Sequence, residues 1–324
     1  LNQVSWPQEY LDGISNNNKD LSYAGGLTWN SKGGWQARLL GSRAFRAPNV
    51  DDLFKNRVKD PNILLPNVAL KPEIAQTGEL TLGKTFTGKR GGFFKLSGTG
   101  FYTQITDLIV RRNIDERISV NNGLDSFNVQ KNFNSDNAYI YGTSGNLRWN
   151  IQNKWELTSS VSYVKGRSEF KLTDKENNIL FDTLSPMEHL PPLYGRAGLA
   201  YTGQKIRIEG VIRFNGAKTV EEYAITGVNF DDRTGEVTEI TREGSDNLDL
   251  SGTCREITQE GQTSVVCEGS LAWMTYNIYS SFQLHPKFTL NFAVENLLDL
   301  HYRTASSVVS APGRNFILSL RGRF

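Results

Sequence analysis

Several things are scarce in this 324-residue chain. It has two cysteines, two methionines and three histidines. No stretch approaches the roughly 18 consecutive apolar residues that a membrane-spanning helix needs. Nothing in the chain suggests a helical membrane protein. A membrane barrel is not excluded, because barrel strands carry their hydrophobicity in alternation and read as polar on average. A surplus of one charge sign is also missing: 36 Lys and Arg face 34 Asp and Glu, a net charge of +2. That balance gives no basis for a nucleic-acid partner. The opening "LNQVSWPQEY" has no charged n-region, apolar h-region or initiating Met, as expected of a processed or truncated piece.

The scarce residues also limit the chemistry. Cys254 and Cys267 stand in a polar stretch with twelve residues between them, outside any CxxC or Cys/His cluster. No metal or other cofactor is expected from them. In an oxidising compartment a disulfide closing that loop is expected, worth roughly 3 kcal/mol in the loop-entropy model. His189, His285 and His301 fall in three separate connections, and no Ser/His/Asp grouping surrounds them. "GKRGG" is a turn and lacks the P-loop pattern. The acidic stretches "NFDDRTGE" and "EGSDNLDL" lack the spacing of a calcium loop. No enzyme and no catalytic residue is expected.

What the chain does have is seventeen Phe, twelve Tyr and thirty Gly, with little 3.6-residue periodicity. That favours an all-β chain. In "KIRIEGVIRF", Ile206, Ile208, Ile212 and Phe214 alternate with Lys205, Arg207, Glu209 and Arg213. "FTLNFAVEN", "KWELTSSVSYV" and the closing "APGRNFILSLRGRF" repeat the habit, less cleanly echoed by "GWQARLLGSRAF" and "AYIYGTSGNLRWN". Strands are expected near 21–30, 33–45, 74–86, 93–112, 138–150, 154–166, 193–202, 205–214, 272–284, 288–296 and 315–324. Most reach the 9–11 residues that a tilted strand needs to cross a bilayer.

The connections discriminate further. "NSKG", "TGKRGG", "IQN", "TGQ" and "HPK" are tight, whereas 46–73, 113–137, 167–192, 215–271 and 297–314 are long. Short and long alternate throughout, the habit of outer-membrane barrels with short periplasmic turns and long outer loops. The fold expected is all-β, a transmembrane antiparallel barrel with about 11 strands here. An odd count does not close a fully antiparallel ring, so further strands are expected upstream of Leu1 or in another polypeptide. Arg38, Arg148, Arg207 and Arg213 fall on the polar face and are candidate lumen-lining residues. Glu73, Glu79 and Glu295 are expected there too, pairing with Arg38, Arg43 or Arg207. Trp29, Trp149, Trp155 and Trp273, near strand ends, are expected as interfacial anchors.

Five segments, in order, resemble motifs of the TonB-dependent outer-membrane receptors. "GSRAFRAPNVDDLF" contains Phe45, Arg46, Ala47 and Pro48. "LPNVALKPEIAQTGELTLG" contains Lys71, Pro72 and Glu73. "FYTQITDLIV" matches a strand end of that family. "FAVENLLDLHYR" contains Glu295, Asn296, Tyr302 and Arg303, and "APGRNFILSLRGRF" contains Pro312, Gly313, Arg314 and Phe324. These motif residues read mainly as structural: the prolines fix φ at strand entries and exits, and the glycine suits a turn.

The resemblance implies the C-terminal half of a 22-stranded barrel, with residues 1–324 as one barrel part. The plug domain and the N-terminal strands would lie outside this chain. It implies an outer-membrane active transporter that imports a scarce nutrient, such as a siderophore, cobalamin, haem or an oligomer, with energy supplied through TonB. A passive porin or a surface-binding barrel without energy coupling is the alternative. The implied partners are outer-membrane lipid, the plug and missing strands, the TonB complex through the plug, and the barrel-insertion machinery through Phe324. An unidentified nutrient and a surface lipoprotein complete that set. In the haem-receptor branch of this family a histidine is expected between the first two motifs. Residues 49–66 contain none.

Overall fold

In the computed structural model, residues 18–55, 57–59, 62–88, 91–120, 125–135, 137–173, 179–231, 234, 236–242, 253–259, 262–307 and 309–323 are described. The strands run β1 (Tyr23–Asn30), β2 (Trp35–Arg46), β3 (Arg57–Lys59), β4 (Asn62–Leu65), β5 (Glu73–Thr87), β6 (Gly92–Thr106) and β7 (Leu108–Val120). They continue with β8 (Asp125–Ser135), β9 (Ala138–Ile151), β10 (Trp155–Thr173), β11 (Ile179–Pro186), β12 (Tyr194–Thr202), β13 (Ile206–Asn215) and β14 (Ile225–Phe230). The last are β15 (Val237–Arg242), β16 (Thr253–Gln259), β17 (Gln262–Glu268), β18 (Trp273–His285), β19 (Phe288–Glu295) and β20 (Asn315–Gly322).

Eleven of these form one continuous antiparallel wall in the order β1-β2-β5-β6-β9-β10-β12-β13-β18-β19-β20, with β11 added on β10 as a twelfth strand. The wall strands are the eleven expected from alternation. All but two match within two residues at both ends. The expected strand 93–112 breaks at Asp107, which has φ 55°, so the chain leaves the wall and re-enters pairing as β7. A positive φ at a non-glycine residue turns the backbone out of the extended region and ends the ladder. The expected strand 154–166 runs on to Thr173, because β10 gains β11 as a new partner above β12.

The register carries one face around the whole wall. Arg38 pairs with Thr81, Thr81 with Thr99, Thr99 with Ser144, Ser144 with Ser162, Ser162 with Tyr194 and Tyr194 with Asn215. Side chains alternate strictly along a strand, so this line defines a polar face, and the neighbouring positions define an apolar one. On the apolar face Leu39, Leu80, Leu82 and Leu96, on strands paired on both sides, are 47–56% exposed. A band of uncovered leucine this extensive is what a lipid-facing wall presents.

Glycine is required where aromatic rings lie across it. A Cβ on Gly142 would sit 2.6 Å from the Tyr163 carbonyl and 2.7 Å from the ring of Phe101, its partner across the β6–β9 ladder.

The long connections are not bare loops. Segment 46–73 forms a short helix, Val50–Phe54, followed by β3 and β4, and β4 pairs in parallel with β8. Segment 113–137 holds most of the β7–β8 hairpin, and 167–192 holds β11. Segment 215–271 holds the two ribbons β14–β15 and β16–β17. These strands escape sequence reading because no clean alternation runs through them. Phe170, Leu172, Ile225 and Val228 form a buried cluster there, with Phe181 and Phe230 packed against it.

Candidate functional site

All four candidate arginines stand on the polar face, as the register requires. Arg148 donates to Glu156 Oε2 at 2.8 Å. Glu209 is shared: Arg196 reaches Oε1 at 3.3 Å and Arg207 reaches Oε2 at 3.2 Å. Arg213 donates to the Tyr279 hydroxyl at 3.1 Å, which in turn donates to Glu295 Oε1 at 2.8 Å. Between these groups a cavity of about 480 Å³ opens on the face, lined by Lys95, Ser97, Asn146, Arg148, Thr158 and Arg196 among others. Half-exposed pairs of this kind contribute little to stability. They do arrange charge on a concave surface that takes a polar partner.

Several expected pairings are corrected. Glu73 binds Arg46, not Arg38, Arg43 or Arg207, and Glu295 binds Tyr279. Arg43 lies on the apolar face near the outer rim and pairs with Asp20. Which cation meets which carboxylate depends on stagger across three strands, which alternation does not report. Trp29, Trp149 and Trp155 stand on the apolar face near the short-turn rim, as interfacial anchors would. Trp273 does not. It lies on the polar face at the outer end of β18, its ring 4.3 Å from that of Tyr302.

The motif residues knot the outer rim together. Phe45 and Arg46 end β2, and Ala47 and Pro48 lead into the helix, which Asn49 caps by accepting the Asp52 amide. Arg46 bonds both Asp52 and Glu73, at 2.6 and 2.5 Å. The second Glu73 oxygen accepts the amide of Ile109 at 2.7 Å, tying β5 to β7 just past the break at Asp107. Lys71 and Pro72 deliver the chain into β5, and the Lys71 backbone is held at both its N–H and carbonyl by the Asn134 side chain. Asn132, only 6% exposed, donates to the Asp52 carbonyl, while its own carbonyl accepts from Asn67. Leu53, Leu64, Leu70 and Val129 are buried in this region. Asn132 and Asn134 went unnoticed in the sequence; a polar "NFN" alternation at the base of a long loop was the available signal.

The second knot joins β19 to β20. Asn296, 4% exposed and at φ 51°, donates Nδ2 to the carbonyls of Leu300 and Pro312 and accepts the Leu300 amide. Its own amide donates to Asn277 Oδ1. Arg314 donates Nε to the Leu297 carbonyl and its amide to Asp299 Oδ1. At Gly313 a Cβ would lie 2.6 Å from that same Asp299 oxygen. Tyr302 accepts the Ala311 amide at its carbonyl, and Arg303 follows it in the same loop.

Above the wall a smaller cavity of about 210 Å³ lies among β7, the β10–β11 hairpin and residues 224–225. Arg112 crosses it to donate to the Glu169 carbonyl. In the outer loops the Lys55 ammonium hydrogen-bonded to Asp51 holds that carboxyl below its usual pKa, and burial pulls the Arg242 guanidinium down. Among the described residues no cluster of His, Cys, Asp and Glu is arranged to hold a metal ion. The β16–β17 register sets Cys254 directly across from Cys267, but their side chains, like Phe324, lie outside the described residues.

Residues 2–297 match the family model described as TonB dependent receptor-like, beta-barrel. The chain is 27% identical over 191 residues to the probable hemoglobin and hemoglobin-haptoglobin-binding protein 4 of Haemophilus influenzae, covering 58% of this chain and 18% of that protein. It is 29% identical over 160 residues to the heme/hemopexin utilization protein C of H. influenzae, covering 46% and 22%. Among solved structures it resembles the Serratia marcescens hemophore receptor HasR in complex with HasA and heme, with a TM-score of 0.63 at 15% identity. That match covers 94% of this chain and 39% of the receptor. A ferric enterobactin receptor of Pseudomonas aeruginosa matches with a TM-score of 0.62 at 14% identity, covering 94% and 40%. At such identities the solved structures share the fold. The chain spans about a fifth of these curated relatives and about two fifths of these structures.

Proposed function

The chain belongs to the TonB-dependent receptor-like β-barrel family of the bacterial outer membrane, and from that premise we propose that it forms the C-terminal part of the wall of an active nutrient importer. The observation that carries this reading is the wall itself: eleven antiparallel strands with an apolar face outside, charged groups on the concave side, and every long connection at one rim. In this reading the polar face with Arg38, Arg148, Arg207 and Arg213 lines the passage, and the plug and remaining strands come from the rest of the protein. TonB supplies energy by acting on the plug. Phe324 is the residue read by the insertion machinery. The outer loops, braced by a Cys254–Cys267 disulfide, take the cargo and any surface lipoprotein.

Among cargoes, haem or a haem-bearing protein has specific support, because the curated relatives named above bind hemoglobin or use heme. The lack of histidine at 49–66 argues against an axial ligand from that loop, so another outer segment would have to present it. The family is one of transporters and receptors, and an enzymatic role has no support from the site.

The reading is tested by growth of an iron-starved strain lacking the receptor. Whole receptor is expected to restore growth on haem or hemoglobin, and only when TonB and the proton gradient are intact. Growth that persists without TonB would mark a passive pore. Restoration by ferric siderophore alone would keep the transporter and discard the haem cargo.

A further inference from the structure

Between the short-turn rim and the level of Arg43, four charged side chains stand on the apolar face of the wall: Arg43, Lys84, Lys165 and Arg167. Arg167 donates to the Leu184 carbonyl. Two have carboxylate partners, Asp20 for Arg43 and Glu222 for Lys165. Lys84 has none among the described residues. Its Nζ donates to the Gly33 carbonyl at 2.7 Å and lies 4.6 Å from the ring centre of Trp35 and 5.1 Å from that of Phe86. An ammonium has three donors, so this leaves two, together with a full charge, to be met from outside the described residues.

Its position says what meets them. Lys84 is paired across the ladder with Trp35 on one side and Leu96 on the other, two residues from Phe86 on the same face and close to the 31–34 turn. Phe86, Phe94 and Trp149 continue the aromatic row, with ring centres 6.0 and 6.3 Å apart. An aromatic row at one rim of a spanning sheet marks the headgroup level, and lysine snorkels to that level from a lipid-facing position. The anion available there is a lipid phosphate, which lysine binds as a point charge.

We infer that Lys84, with Trp35 and Phe86 flanking it, is a binding site for the phosphodiester of an anionic glycerophospholipid in the periplasmic leaflet. The ammonium takes the phosphate and the rings pack on the glycerol and upper acyl chains. The site rests on the membrane placement of the wall and not on the identity of the cargo.

The test is native mass spectrometry of the full-length receptor in a neutral detergent, titrated with dioleoylphosphatidylglycerol. The wild type is expected to hold discrete lipid adducts, Lys84→Gln to bind about fivefold more weakly, and Lys84→Arg to keep its affinity. Excess inorganic phosphate should not displace the lipid, because the rings contribute only to a ligand with chains. Unchanged heat-modifiable migration of both variants shows that the barrel is intact. Equal adducts on wild type and Lys84→Gln would overturn the site. Displacement by phosphate would reduce it to a simple anion contact and overturn the lipid assignment.

Discussion

Asn296 offers the sharpest test of how the outer rim is held. Three side-chain hydrogen bonds, two donated to Leu300 and Pro312 and one accepted from Leu300, close the β19–β20 connection from a nearly buried position. Each is worth about 1 kcal/mol net, so truncation costs about 3 kcal/mol locally. The backbone sits at φ 51°, where asparagine is tolerated and alanine adds about 1 kcal/mol. Asn296→Ala should therefore lower the local opening free energy by about 4 kcal/mol, and Asn296→Gly by about 3 kcal/mol. Suitable reporters are two amides that Asn296 does not bond: Leu297, held by the Tyr276 carbonyl, and Arg314, held by Asp299. Measured by hydrogen exchange on the full-length receptor in nanodiscs, both should exchange on the order of a hundredfold faster in the glycine variant. The alanine variant should be roughly fivefold faster again. Protection unchanged within twofold would refute the claim that this side chain holds the loop. A glycine variant worse than alanine would refute the argument from φ.

Other outcomes follow from the same contacts. Arg46→Ala removes the bridge between Asp52 and Glu73 and should cost about 2 kcal/mol at the rim, seen as faster protease cleavage within 47–72 on intact cells, with the wall's heat-modifiable migration unchanged. Glu73→Gln, which keeps an oxygen for the Ile109 amide and leaves the Arg46–Asp52 pair, should be milder; sensitivity equal to that of Arg46→Ala would show that the Arg46–Glu73 ion pair carries the whole effect. Gly142→Ala forces a methyl against the Tyr163 carbonyl and the Phe101 ring and should destabilise the barrel by about 1–3 kcal/mol in thermal unfolding, with partial recovery on adding Phe101→Leu. Cys254 and Cys267 should resist maleimide on intact cells until a reductant is added; labelling without reductant would remove the disulfide from the outer loop.

The eleven wall strands, their apolar and polar faces, and the rim that carries the long connections were all readable from residues alone. Alternation is a property of successive residues, so Arg38, Arg148, Arg207 and Arg213 declared their shared face without any knowledge of their neighbours. The motif residues were legible as a resemblance, and their backbone roles at prolines and glycines followed from local sterics. What they hold was not legible. Glu73 meets Arg46 and the Ile109 amide, Asn134 grips Lys71 from sixty-three residues away, and Trp273 stands on the polar face with its ring packed at a tilt against Tyr302. The break at Asp107 and the extension of β10 to Thr173 depended on partners supplied by other loops. Period-two patterning is written within one strand. Partner choice depends on stagger, on sheet curvature and on chain returning from far along the sequence, and only the folded arrangement determines those.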